Sequence, residues 1–274
     1  MKVFISTDME GVAGVVDWDQ CVAGGDDYQT GRDLLLGEVN AAIEGAVAAG
    51  ADAICVNDGH SLMRNLPPEA LAGRASYLSG RFKPLYMMQG LDATYDAIIF
   101  LGYHAAIGTA GTLSHTYNPR AVTGVRLGGT LTGEAGLNAL VAQHYGVPVA
   151  VVTGDQLTAG QTAPFCPGVT PIVVKKSLTR YAAESLHPLV AREMIRDGVR
   201  AALTAPLPAP PAVALPATID IDLLSPDMVD QATWIRGVEQ TGPATVSVTD
   251  DDPLRLFRTF VTLVYLTRSL VETR

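Results

Sequence analysis

The sequence predicts an α/β protein, with a mostly parallel sheet flanked by helices and a smaller C-terminal α+β part. Three observations carry this expectation. Several short runs are continuously apolar rather than alternating, the pattern of strands buried on both faces. Segments with apolar residues at helical spacing lie between them, and strands alternating with helices build parallel sheets. Past a proline-rich stretch beginning at Ala205, the texture changes to an alternating strand and a closing helix.

Taken in order, strands are expected over residues 3–7, 53–57 and 97–103, and again over 147–153 and 171–175. Between the first two, Leu35, Leu36, Val39, Ile43, Ala46 and Val47 fall at helical spacing, and Gly50 follows as a stop. A second helix spans 134–145, with Leu137, Leu140 and Val141 on one face and Gly146 ending it. A third covers 188–203, with Pro188 in its first turn. The stretch 205–212 is too rich in proline for a helix or a central strand and is expected as a linker or a stiff entry to an edge strand. After it, 245–249 alternates like a half-exposed strand, and Asp252-Pro253 caps a final helix running to about Leu270. The expected division is a metal-binding catalytic domain over 1–185 and a smaller C-terminal domain over 186–274.

Composition narrows the function classes. With 48% hydrophobic and 17% charged residues among 274, the chain can bury a large core. Mean hydropathy is +0.22, yet no apolar run is long enough to span a bilayer. Asp8 comes too early for the apolar region of a signal peptide, so a cytoplasmic protein is expected. The three cysteines, Cys21, Cys55 and Cys166, form no CxxC pair and leave an odd count, which argues against a disulfide framework. A net charge of −9 and a pI near 4.9 disfavour nucleic acid and anionic membranes as partners.

The chemistry gathers at the expected strand ends. The first strand runs into Asp8 and Glu10, the second into Asn57-Asp58-Gly59-His60, and the third into Gly102-Tyr103-His104. In a parallel sheet all strand carboxyl ends lie on one side, and ligands bind there, so Asp8, Glu10, Asp58, His60 and His104 should converge. Each alone has a structural explanation: Asp58-Gly59 makes a turn, and a histidine beside a core strand is often only hydrogen-bonded. Three strands sharing the pattern favour function. His115 lies on a loop of small residues, where it can act as acid, base or hydrogen-bond donor or simply face solvent. Glu134 opens the second helix, where the dipole favours a carboxylate, and Asn138 follows one turn on. His144 and His187, near helix ends, read as structural. There is no GxGxxG after a strand, no GxxxxGK[ST], no HExxH and no GxSxG.

Carboxylates and imidazoles at one sheet edge call for a divalent cation. The mixture suits zinc, with manganese or iron as alternatives, and the surplus of donors favours two metals.

The phrases "DMEG", "NDGH" at 57–60, "LGYHA" at 101–105, "SH" at 114–115 and "GE" followed by "GLNA" around Glu134 resemble the DppA-like D-aminopeptidases, the M55 metallopeptidases associated with dipeptide transport. "SGRFKP" at 79–84 and "GLD" at 90–92 extend the likeness over most of the chain. The resemblance implies a dinuclear zinc aminopeptidase that hydrolyses short peptides, some with N-terminal D-residues, through a metal-activated hydroxide. It implies Asp8 as the bridging ligand, His60 and His104 completing one metal, Glu10 and Glu134 the other, and His115 as the catalytic histidine. It further implies a homodecameric ring. Two rival classes remain at this stage. One is another dinuclear-metal hydrolase, an amidase or a phosphoesterase using Arg120 or Arg126; the other is a non-catalytic peptide-binding protein.

Overall fold

The computed structural model describes residues 1–271, so positions 272–274 of the expected C-terminal domain lie outside the described residues. The larger sheet contains β1 (Lys2–Thr7), β2 (Ala53–Asp58), β3 (Ala75–Leu78), β4 (Ala97–Leu101), β7 (Val149–Asp155), β8 (Thr170–Thr179) and β9 (Ala182–Ser185). Their order across the sheet is β3-β2-β1-β4-β7-β8-β9, parallel throughout except that β9 runs antiparallel to β8. The smaller sheet contains β5 (Val122–Leu127), β6 (Thr130–Leu131), β10 (Ala217–Leu223), β11 (Val238–Gln240) and β12 (Thr245–Asp250). It is antiparallel, in the order β11-β12-β10-β5-β6.

Six α-helices are present among the described residues: α1 (Tyr28–Ala48), α2 (Glu134–Tyr145), α3 (Gln156–Thr162), α4 (Pro188–Thr204), α5 (Pro226–Ala232) and α6 (Pro253–Thr267). Side chains of a strand point alternately to its two faces. On β1, Val3 and Ile5 enter one core with Leu35, Val39 and Ile43 of α1 and Ile195 and Val199 of α4. Phe4 points the other way, into a core shared with Leu137 and Leu140 of α2, Phe257 and Phe260 of α6, and Ile219 and Ile221 of β10. Burial on both faces explains the unbroken apolar runs.

The expected elements are present, with β8 longer than its apolar stretch. Gly50 takes φ of +91° after α1, a conformation that favours glycine, and the 205–212 linker is neither helix nor strand. A single cut at residue 185 does not separate the two sheets. β5 and β6 join β10 in the smaller sheet, while α4 packs on α1 against the larger one. Among the described residues no helix is long and apolar enough to cross a membrane.

Candidate metal centre

β1 ends at Thr7, and the chain turns through Asp8 and Glu10 without leaving the interior. The amide of Asp8 donates to Leu101 O and that of Gly11 to Gly102 O, each at 2.8 Å, which fastens this turn to the end of β4. Gly11 is required there, because a Cβ would stand 1.8 Å from the carbonyl oxygen of Tyr103. A buried lysine holds the same turn from below. Lys175 of β8 donates through Nζ to the carbonyls of Glu10, Val12 (3.1 Å) and Val15 (2.7 Å).

β2 and β4 pair with β1 on opposite sides, so His60 and His104 approach Asp8 from opposite directions. His60 Nδ1 lies 3.1 Å from Asp8 Oδ1 and 3.0 Å from Glu10 Oε2. His104 Nε2 lies 3.2 Å from Asp8 Oδ2 and 3.4 Å from Glu134 Oε1. Glu134 enters from the first turn of α2, its Oε1 also accepting from the amide of Tyr117 at 2.9 Å. His115 stacks on His104 with ring centroids 4.1 Å apart, and its Nε2 is 3.7 Å from Glu134 Oε1 and 3.9 Å from Glu10 Oε1. The six sequence-predicted residues thus form one buried cluster.

The resemblance had grouped His60 with His104 and Glu10 with Glu134. In the structure the nearest neighbours are His60 and Glu10 on one side of Asp8, and His104 and Glu134 on the other. Strand order is the reason, since β1 stands between the two strands that deliver the imidazoles.

Each imidazole is oriented by a backbone carbonyl. His60 Nε2–H donates to Cys21 O at 2.7 Å, His104 Nδ1–H to Ala105 O at 3.0 Å, and His115 Nδ1–H to Leu113 O at 2.9 Å. The remaining ring nitrogen of each faces the carboxylates, the arrangement that prepares a histidine to ligate or to take a proton. Burial pushes the Asp8 carboxyl up, but the neighbouring His104 and His60 imidazoles outweigh it and hold it well below the usual range. Burial lowers both His60 and His104, yet their carboxylate neighbours, Glu10 for one and Glu134 for the other, with Asp8, raise both well above it. His115 goes the opposite way: burial, helped by the charge of His104, takes it to about 4.

Three buried atoms of this cluster, Asp8 Oδ2, Glu10 Oε2 and His104 Nε2, have no hydrogen-bond partner among the described residues. Leaving such atoms unsatisfied is costly, and native structures seldom do it. Three overlapping donor sets, Glu10–Cys21–His60, Asp8–Glu10–His104 and His104–His115–Glu134, each have their ligand atoms within 4.8 Å of one another. Orphaned carboxylate oxygens and an imidazole nitrogen facing one another at this range fit a divalent cation.

Asp58 does not join the cluster. Its carboxylate accepts from the amides of Asn65 and Leu66 and from Asn65 Nδ2, bracing the loop after His60. Asn138 also has a supporting part: Nδ2 donates to Tyr103 Oη at 2.9 Å and Oδ1 accepts from Tyr117 Oη at 2.8 Å. His187 caps α4 through Nδ1, and His144 lies 3.8 Å from Asp252, both as structural residues. Sequence reasoning missed Trp18, whose ring meets His115 edge-on at 5.3 Å, as well as Cys21 and Lys175. A lysine closing the apolar run Ile172-Val173-Val174 was the available signal for Lys175.

Asp8, Glu10, His60, His115 and Glu134 of the cluster form the floor of a cavity of about 770 Å³ walled by Trp18, Tyr86, Tyr117 and Tyr265. Buried carboxylates and imidazoles at the carboxyl ends of a parallel sheet, open to a cavity of this size, define a hydrolase site of the metal-dependent class. The chain belongs to the peptidase M55 family of D-aminopeptidases, whose model matches residues 1–262. It is 34% identical over 275 residues to the D-aminopeptidase of Bacillus subtilis (strain 168), covering 97% of both chains. The solved structure of the Zn-dependent D-aminopeptidase DppA from Bacillus subtilis, described as a self-compartmentalizing protease, superposes with a TM-score of 0.93. It shares 32% identity, with 98% of each chain covered.

Proposed function

We propose that this peptidase is a zinc-dependent aminopeptidase acting on short peptides, with N-terminal D-residues preferred, at a two-metal centre bridged by Asp8. The observation that carries the reading is that the two oxygens of Asp8 face separate histidine–glutamate pairs. Asp8 Oδ1, Glu10 and His60 Nδ1 would hold one ion; Asp8 Oδ2, His104 Nε2 and Glu134 the other. When bound, the metals supply Lewis acidity, which polarises a carbonyl and lets water ionise near neutral pH.

The chain's own residues do the rest. The cavity is sized for a short peptide, not a folded protein. His115 presents a free Nε2 to it, since Leu113 O holds the proton on Nδ1. Burial keeps that ring neutral at pH 7, so Nε2 accepts a proton from the attacking side and returns it to the leaving amine. His104, stacked on the ring, and Trp18, meeting it edge-on, fix the ring plane.

The D-preference rests on the family and on the relative from Bacillus subtilis. Self-compartmentalization of the similar structure supports a homodecameric ring, and the exposed Phe82, Leu224 and Trp234 offer apolar surface for contacts between copies. A native mass near ten times the 28.8 kDa of one chain tests this. Three unpaired cysteines support a cytoplasmic setting.

The decisive experiment measures alanine released from D-Ala-D-Ala and from L-Ala-L-Ala, with and without a chelator, alongside the zinc content. Chelator-sensitive release, faster from the D-peptide, at two zinc ions per chain is the expected result. Absence of release from zinc-loaded protein would overturn the aminopeptidase reading.

A further inference from the structure

Three arginines, Arg120, Arg180 and Arg268, line the cavity above the metal cluster, and the hydrolytic step uses none of them. Among the described residues the arginine ion pairs belong elsewhere, to Arg126, Arg196 and Arg255. Arg120 and Arg268 are exposed, whereas Arg180 is half-buried. Its Nε is shut off from solvent with no hydrogen-bond partner among the described residues. An N–H in that state is costly unless an acceptor arrives.

The position of Arg180 is also fixed relative to the chemistry. It opens the two-residue turn between β8 and β9, where Thr179 pairs with Ala182. Its carbonyl accepts from the amide of Leu113 at 2.8 Å, and the carbonyl of Leu113 in turn holds His115 Nδ1–H. Two hydrogen bonds therefore tie the root of this side chain to the histidine at the reaction centre.

We propose that Arg180 binds the α-carboxylate of the peptide substrate, making the enzyme selective for short peptides with a free C-terminus. This inference rests on the aminopeptidase reading. Cleavage next to the N-terminus puts that end of the peptide at the metal floor. In a cavity of about 770 Å³ the other end of a dipeptide is enclosed as well. An enclosed carboxylate without a partner is expensive, and a guanidinium fork is the group best shaped to receive it.

The test compares D-Ala-D-Ala with D-alanyl-D-alaninamide on the zinc-loaded protein. The free acid should have kcat/KM higher by about tenfold to a hundredfold, the range for a hydrogen bond to a charged group, and the difference should lie in KM. Arg180→Gln should collapse the acid-to-amide ratio toward one, and Arg180→Lys should restore part of it. A merely structural arginine would lower both substrates together and leave the ratio standing. Equal use of acid and amide by the unaltered protein would overturn the inference, as would an unchanged ratio in Arg180→Gln. A ratio lost in Arg120→Gln or Arg268→Gln instead would overturn the assignment to Arg180. Should neither peptide be cleaved, the aminopeptidase reading fails, and calorimetric binding of the same two peptides decides the matter. Acid-selective binding lost in Arg180→Gln supports a carboxylate site, and binding without that selectivity refutes it.

Discussion

The two sheets contribute unequally to the site. Adjacent strands β1, β2 and β4 of the parallel sheet bring Asp8, Glu10, His60 and His104 to one buried point. The antiparallel sheet brings no donor to the cluster; with α6 it gives packing and a wall that includes Tyr265 and Arg268. Topology explains the contrast. Parallel strands finish on the same side, so residues just past their ends meet, whereas antiparallel neighbours finish on opposite sides. Chemistry should therefore be vulnerable at the first sheet and stability at the second.

Asp8→Ala gives the largest expected effect. Removing the carboxylate that faces both histidine–glutamate pairs should empty both metal positions together. Turnover should fall by at least about 10³-fold, because Lewis-acid stabilisation is worth several kcal/mol. Metal analysis of the purified variant checks this; full metal content would break the shared-ligand geometry. Next comes His115→Ala, which should keep its metals and lose about 10²- to 10⁴-fold in kcat. Unchanged kcat would reduce that ring to a packing partner of Trp18 and His104.

Phe260→Ala probes the other sheet's layer. Phe260 is fully buried on α6 and meets Tyr117 edge-on at 5.1 Å. Its truncation should cost about 3–5 kcal/mol of stability, read as a lower melting temperature. Zinc per folded chain should stay the same. Metal loss from a variant that remains folded would show that the second layer belongs to the metal centre after all, and the contrast between the sheets would fail.

The same contrast governs how much the sequence reveals. The parallel strands were legible because burial on both faces leaves unbroken apolar runs, and their ends were legible because acids and histidines stand out beside such runs. β10 is harder to read although Ala217, Ile219, Ile221 and Leu223 alternate with Thr218, Asp220 and Asp222, since it follows directly on the linker. β5 lies about 90 residues before β10, the strand it pairs with, and no local pattern records so distant a pairing. The convergence of these side chains was readable, but which of them lie nearest one another was not, because that depends on which strands flank β1. The carbonyls of Cys21, Ala105 and Leu113 that orient the imidazoles leave no trace in residue type.

Support beneath the β1 turn yields the smallest and most pH-dependent expectation. Glu38 of α1 is 2% exposed, and its Oε1 accepts from the amide of Ala13 at 2.9 Å while Oε2 has no partner among the described residues. Burial raises its pKa to about 7, with the Ala13 amide and the charges of Lys175 and Arg192 opposing the rise. The folded state thus holds this proton where the unfolded chain, near the ordinary value of 4.5, releases it. Stability from this group is complete below about pH 4.5, falls as pH rises, and levels off above about 7, a difference of roughly 3 kcal/mol. Lys175, pushed down to about 8 chiefly by burial, titrates above that window and does not mask it. Glu38→Gln keeps an acceptor for Ala13 but carries no charge, so it should raise the melting temperature at pH 8 and change it little at pH 4.5. Melting curves of both proteins across this range test the sign, and a variant destabilised more at pH 8 than at pH 4.5 would mean that Glu38 is held as a stabilising anion.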